Sequence, residues 1–347
     1  SSAASDVYKR QEPVLSIISP ISLDHQQYLG ADLNQIAREK AGIMRTGVPV
    51  VSSVQENSVG KALFAEAEKI GTSVFCCGSD YNYVAGDETF DYIGINEKVN
   101  GLRPAIAGRH QFENMATALA AAELLRSAEF AISDTAMRAG VEQFSWPGRL
   151  EWLAGRSVLL DGAHNGAGSR ALAAHLSEQK IDNVHWIVGV KADKNSDEIL
   201  KPVLAHAAFV YCVEPPVEEA VPTEQLQLFV EQAGVKAKSF SSIAAALGQA
   251  RAAAGTDGIV LVAGSPTVSR GGFCQSSSSC SSLAGSQLRP SDSAAGSTSM
   301  LISSELLRIC LVLWLKGSRL RRPPSATCAV KRIGGIFSWP LCCGKIR

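Results

Sequence analysis

The chain has 347 residues, 33 Lys+Arg against 33 Asp+Glu, and therefore a formal net charge of zero; 46% of it is hydrophobic and 6% aromatic. That length has room for about two domains with buried cores, and the charge balance excludes a chain-wide nucleic-acid footprint or an acidic disordered protein. No stretch reaches the roughly 18 uncharged apolar residues of a spanning helix, and no signal-peptide pattern opens the chain, so it reads as soluble, cytoplasmic and engaging neither nucleic acid nor membrane.

Residues 1–11 (SSAASDVYKRQ) read as an appended, non-native leader outside the fold. From there to Arg270 the pattern is α/β. Short β-rich runs are VLSII (14–18), VPVVSSV (48–54), TSVFCC (72–77), SVLLD (157–161), VHWIVGV (184–190), AFVYCVE (208–214) and GIVLVAG (258–264). Helical stretches fall at 58–70, 111–127, 168–179, 194–206 and 241–254. This alternation predicts βαβ units and a mostly parallel sheet. The SWPGR turn at 145–149 interrupts it, since Pro147 and Gly148 break a helix there. A domain boundary is expected at about residue 150.

The first segment with chemistry is SLDHQQYLGADLNQIAREKAGI, 22–43. Asp24-His25 follows a buried strand, at the edge where open α/β sheets bind ligands. Asp32 is a helix N-cap, Gln35 completes a capping box, and Gly42 suits the stop. Leu33, Ile36, Ala37 and Lys40 share one face. A lysine on an apolar stripe is unusual, yet spacing alone favours a side chain that snorkels from the last turn. A loop histidine with one local hydrogen bond is equally the plainer reading of His25.

In GRHQFENMATALAAAELL, 108–125, an Ala-rich helix follows a polar first turn holding Gln111 and Asn114. Exposed N–H groups at such a start suit a nucleotide or anion, although Asn114 also fits as a simple polar helix-start residue. In SVLLDGAHNGAGSRALAAHL, 157–176, a strand ends in Asp161 and a Gly-rich turn leads into a helix. Gly166, Gly168 and Ala171 match the loose dinucleotide fingerprint G-x-G-x-x-A, but Asp161–Asn165 intervene between strand and fingerprint. Asp161 and His164 are better placed for a ribose, base or phosphate. The P-loop pattern G-x-x-x-x-G-K-[ST] does not occur.

After Arg270 the composition changes. Residues 271–347 carry ten Lys+Arg and two acids, a sum of +8, which leaves −8 on residues 1–270. This Ser- and Cys-rich tail has no period that buries a face, and it reads as a low-complexity, basic, non-native extension. The nine cysteines follow neither zinc spacing nor a secreted disulfide framework.

Taken in order, these segments resemble the Mur ligase superfamily, and within it the bacterial folylpolyglutamate synthase/dihydrofolate synthase branch. SLDHQQYLGADLNQIAREKAGI is similar to the LDH-x-x-x-LG…IA-x-EKAGI signature, GRHQFEN to G-x-HQ-x-x-N, and WPGRLE…LLDGAHN to PGR…DGAHN. VGVKADKN (188–195) and VAGSPTVSR (262–270) are similar to the later G-x-x-x-DK and GS elements. The resemblance implies that residues 12–149 are the later part of a central P-loop-type ATPase domain and 150–270 a Rossmann-like C-terminal α/β domain. It implies ATP-dependent ligation of L-glutamate to dihydropteroate or folate, with Mg2+, by a monomer. On the family pattern His25 is a magnesium ligand, and Lys40 is the N-carboxylated lysine that supports the second metal. Asn114 and Arg149 contact ATP, and Asp161 with His164 line the nucleotide. The sequence departs from DGAHNP at Gly166 and holds no P-loop, so the expectation is an N-terminally truncated fragment. The alternatives are a peptidoglycan-type amino-acid ligase, an NAD-binding Rossmann protein, and a non-catalytic fragment.

Overall fold

The computed structural model describes residues 13–22, 32–153, 155, 157–217, 219–265 and 268. The leader, the tail and the Asp24-His25 turn lie outside the described residues. Two compact units meet in sequence between Ser145 and Trp146, with residues 106–108 belonging to the second.

The first unit opens with β1 (Ser16–Ile18), α1 (Leu33–Ala41), β2 (Val50–Ser52), α2 (Asn57–Ile70) and β3 (Val74–Cys76). The three strands form a parallel sheet in the order β1-β2-β3, with Ser16 opposite Val50 and Val50 opposite Val74. The expected periodicity explains the packing: Ile36, Ala37 and Ala41 of α1 and Val59, Leu63 and Ala67 of α2 bury against Ile18 and Val50. Asp32 caps α1 as foreseen, its carboxylate accepting the N–H groups of Asn34 and Gln35 at 2.7 and 2.9 Å.

An antiparallel meander follows that the strand pattern did not reveal: β4 (Asn82–Ala85), β5 (Phe90–Ile93) and β6 (Lys98–Leu102). These strands are short and half solvated, so each offers only two inward side chains to read. Phe90, Tyr92 and Leu102 are buried, whereas Val84 and Ile93 face solvent. Then come α3 (His110–Ser127) and α4 (Asp134–Glu142). The run Asn114–Glu123 of α3 is buried on every face, and the helix packs on β2, β4 and β5. Its alanines permit that close approach. Tyr81 Oη donates to Ser52 O at 2.7 Å, and the Ser53 and Thr117 hydroxyls meet at 2.9 Å.

The second unit contains β7 (Glu151–Leu153), β8 (Val158–Leu160), α5 (Gly166–Glu178), β9 (Val184–Val188), α6 (Ser196–Leu204), β10 (Ala207–Val213), α7 (Thr223–Gln232), β11 (Ala237–Phe240), α8 (Ile243–Ala254) and β12 (Ile259–Val262). Its six strands run in the order β11-β10-β9-β12-β8-β7, parallel except for β7. Helices cover both faces, which is why β8 and β9 are buried without alternation. Leu159, Trp186, Val210 and Leu261 point into one core layer, and Leu160, Ile187, Tyr211 and Val260 into the other. Strands β8 and β9 are consecutive in sequence but are separated in the sheet by β12. At such a reversal of order, doubly wound sheets bind ligands in the crevice beyond the carboxyl ends of the strands.

Candidate functional site at the carboxyl edge of the six-stranded sheet

Strand β8 delivers Asp161 to this crevice. Its N–H still bonds to Val262 O at 3.0 Å, so the residue sits one step past the strand but in line with it. One carboxylate oxygen, Oδ1, accepts the N–H of Ala163 at 2.8 Å. The other, Oδ2, accepts the N–H of Leu150 at 3.1 Å. His164 Nδ1 lies 2.8 Å from Gly162 O. A carbonyl only accepts, so Nδ1 carries the proton and Nε2 is the basic nitrogen of the ring.

Asn165 ends the turn and caps α5, its Oδ1 accepting Gly168 N–H at 2.8 Å. The helix N-terminus thereby faces the crevice with its dipole positive towards it. Close approach explains the glycines here. A Cβ on Gly166 would fall 2.7 Å from Glu198 Oε2, and one on Gly168 would fall 3.3 Å from Ala163 Cα. The dinucleotide-like fingerprint therefore lies inside α5, packing the helix, while Asp161–Asn165 form the strand–helix turn itself.

Arg149 joins the same turn from the start of β7. Gly148 adopts φ +76° and donates its N–H to Glu151 Oε2 at 2.7 Å, and Leu150 adopts φ +43°. The guanidinium of Arg149 packs on Gly162, where an added Cβ would stand 2.9 Å from Nη1. Arg149, Asp161 and His164 are exposed by only 8%, 6% and 4%. Three polar or ionisable side chains buried together at a strand's carboxyl end mark a functional site more than a core, which rarely admits one such group.

Gly189 and Gly264 approach closely where β9 and β12 end. Ser265 donates its N–H to Gly189 O at 2.8 Å, which ties the end of β12 to the end of β9. Beyond Gly189 the chain presents Lys191, Asp193 and Lys194, and Lys194 Nζ lies 3.8 Å from Asp193 Oδ2 with its side chain only 6% exposed. These residues were not among the sequence-derived site residues. The available signal was charge placed directly after a fully buried strand.

In the first unit, Asn114 is buried in the opening turn of α3, and its Nδ2 donates to Gln111 Oε1 at 3.0 Å. Gln111 Nε2 in turn donates to His110 Nε2 at 2.8 Å. A polar chain thus runs along the start of an otherwise apolar helix. Lys40 stands half-buried in the last turn of α1. The structure therefore gathers Arg149, Asp161 and His164 in the second unit and places Lys40 and Asn114 in the first, with His25 outside the described residues. Burial pushes the thiols of Cys76 and Cys77 up to about 11 and about 12. Both are neutral at physiological pH and unsuited to nucleophilic work.

Among the described residues no group of three His, Cys, Asp or Glu side chains is placed to hold a metal, and no helix is long and apolar enough to cross a membrane. A helix N-terminus, glycines closely packed by protein atoms and a buried arginine share one edge of the sheet.

Residues 148–266 match the family of the Mur ligase, glutamate ligase domain. Over 206 residues the chain is 32% identical to the dihydrofolate synthase/folylpolyglutamate synthase of Bacillus subtilis, covering 56% of this chain and 48% of the relative. It is 34% identical over 203 residues to the enzyme of the same name from Mycobacterium tuberculosis, covering 54% and 41%. The chain thus spans about half the length of the curated relatives it matches. Among solved structures, the Mycobacterium tuberculosis folylpolyglutamate synthase complexed with ADP superposes with a TM-score of 0.69 at 26% identity, covering 80% of this chain and 64% of that one. The bifunctional folylpolyglutamate synthase/dihydrofolate synthase of Yersinia pestis superposes with a TM-score of 0.63 at 27% identity, covering 74% and 60%.

Proposed function

We propose that the chain, whose residues 148–266 match the Mur ligase, glutamate ligase domain family, carries part of an ATP-dependent ligase that joins L-glutamate to dihydropteroate or folate. Residues 12–149 then form the later part of its central ATPase domain and 150–270 its C-terminal domain. A carboxylate oxygen of the pterin substrate attacks the γ-phosphorus of ATP, and ADP leaves. The amino group of glutamate attacks the resulting acyl phosphate, a C–N bond forms, and inorganic phosphate departs with the C–O electron pair.

The observation that carries this reading is the buried turn Asp161–His164 with Arg149 packed on Gly162, at the N-terminus of α5. Arg149 supplies positive charge to a bound nucleotide, the α5 amides supply donors, and the fixed tautomer of His164 offers Nε2 as an acceptor. For the first unit, described by itself, the family pattern alone proposes Asn114 as a residue that contacts ATP. Magnesium neutralises the phosphate charge in such transfers, and the proposed ligands are His25 and an N-carboxylated Lys40. We place the protein in the cytoplasm as a monomer acting on small molecules.

Titration of the full chain with ADP tests the nucleotide site directly. Release of ADP dependent on both glutamate and pteroate, from a chain extended to the length of its relatives, tests the reaction. An extended chain that hydrolyses nothing when both are supplied would sink the assignment.

A further inference from the structure

We propose that Asp161 is a positioning residue for Arg149, acting through the backbone of Leu150. The inference rests on the reading of the β8–α5 turn as a nucleotide site and adds a second task for Asp161 within it.

Both oxygens of Asp161 are already engaged by protein. Oδ1 closes a local turn on Ala163 N–H at 2.8 Å, and Oδ2 reaches Leu150 N–H at 3.1 Å, eleven residues away. The register Glu151↔Leu160 of the antiparallel β7–β8 pair, continued by one residue, sets Leu150 opposite Asp161. Leu150 is a non-glycine residue at φ +43°, a conformation that an L side chain holds only when its surroundings impose it. Two restraints do so. Its side chain is 4% exposed within the core layer of Leu159, Leu172 and Trp186, and its N–H is clamped by Asp161. On the other side, Gly148 is fixed at φ +76° with its N–H on Glu151 Oε2. Arg149 lies between these two clamped residues, so its Cα–Cβ direction is set by them. That direction lays the guanidinium on Gly162, the residue next to Asp161.

An asparagine at 161 is nearly isosteric but has a single acceptor oxygen. If that oxygen keeps the local bond to Ala163, the amide NH2 opposes Leu150 N–H, two donors face each other, and the clamp opens. The consequence falls on Arg149 without a large change of volume.

The test compares the wild-type full chain with D161N, R149M and the double variant. Phenylglyoxal modification, read at Arg149 by peptide mass spectrometry, is expected to be at least about tenfold faster in D161N. The rate at exposed Arg251 and the hydrogen exchange of the β9 amides stay unchanged, which separates release of Arg149 from general loosening. ADP affinity is expected to fall about tenfold in R149M and in D161N, with the loss in the double variant well short of their product. Unchanged reactivity of Arg149 in D161N overturns the proposal. The full product, about a hundredfold in the double variant, overturns it too, because Asp161 would then act independently of Arg149. If the wild-type chain binds no ADP, the nucleotide reading falls, and the phenylglyoxal rates still decide whether Asp161 positions Arg149.

Discussion

Gly189 and Gly264 meet backbone to backbone at the carboxyl ends of β9 and β12: a Cβ on Gly264 would stand 2.6 Å from the carbonyl oxygen of Gly189. Gly264 also adopts φ +135°, outside the range of L side chains. The contact brings the two strand ends together and leaves Ser265 N–H on Gly189 O. Neither glycine can move aside, because the crowding atoms are main chain.

Gly264→Ala is therefore expected to destabilise the second unit by at least about 2 kcal/mol, combining backbone strain with a main-chain clash. Urea unfolding of the full chain measures it. A loss below about 0.5 kcal/mol would mean that the two strand ends are free to separate.

Gly162→Ala should behave differently. The nearest atom to its added Cβ is Arg149 Nη1 at 2.9 Å, the far end of a flexible side chain. Stability is expected to change by less than about 1 kcal/mol while ADP affinity drops severalfold, since the guanidinium must leave its place. Calorimetric binding beside a melting curve separates the two effects; equal affinity to wild type would show that Arg149 does not serve the nucleotide.

Glu113 in α3 is held above the ordinary carboxylate range by burial, partly opposed by the Val54 N–H that bonds to its Oε1 at 3.0 Å. With the folded value raised, the native state holds this proton more tightly than the unfolded chain. Its contribution to stability is fully present below the unfolded value, near 4.5, and is lost as pH rises through the raised folded value. Glu113→Gln keeps the acceptor for Val54 and removes this decline. Denaturant midpoints of both proteins across that window check it: a decline of equal slope in the variant would assign it to another group.

Glu123 gathers three donors on one buried carboxylate: the hydroxyl of Tyr92, Ile95 N–H at 2.9 Å and Asn96 N–H at 3.0 Å. It thus anchors the turn between β5 and β6 to α3. Glu123→Ala leaves those donors without their acceptor and is expected to cost about 3 kcal/mol or more. Fluorescence-detected unfolding of the full chain would give the figure, and a cost under about 1 kcal/mol would mean that the turn finds other partners.

Much of this molecule could be read before any coordinates. The apolar runs ending at Ile18, Asp161 and Gly264, the helix cap at Asp32, and the polar start of an Ala-rich helix at Asn114 are local features. Periodicity and capping chemistry depend on residues within one or two turns, so the sequence carries them directly. The same locality hid β4–β6, whose four- and five-residue strands give too little alternation, and β7, whose three residues are only half buried. It also placed Asp161 and His164 at a strand's end but gave no hint of the Leu150 N–H that the Asp161 carboxylate accepts. Only the tertiary structure, by pairing β7 with β8, set Leu150 opposite Asp161 and laid Arg149 on Gly162. The residue types at the edge were determined by the sequence alone. Which of them touch was decided by strand register, because a hydrogen bond between distant residues exists only once the sheet fixes both backbones.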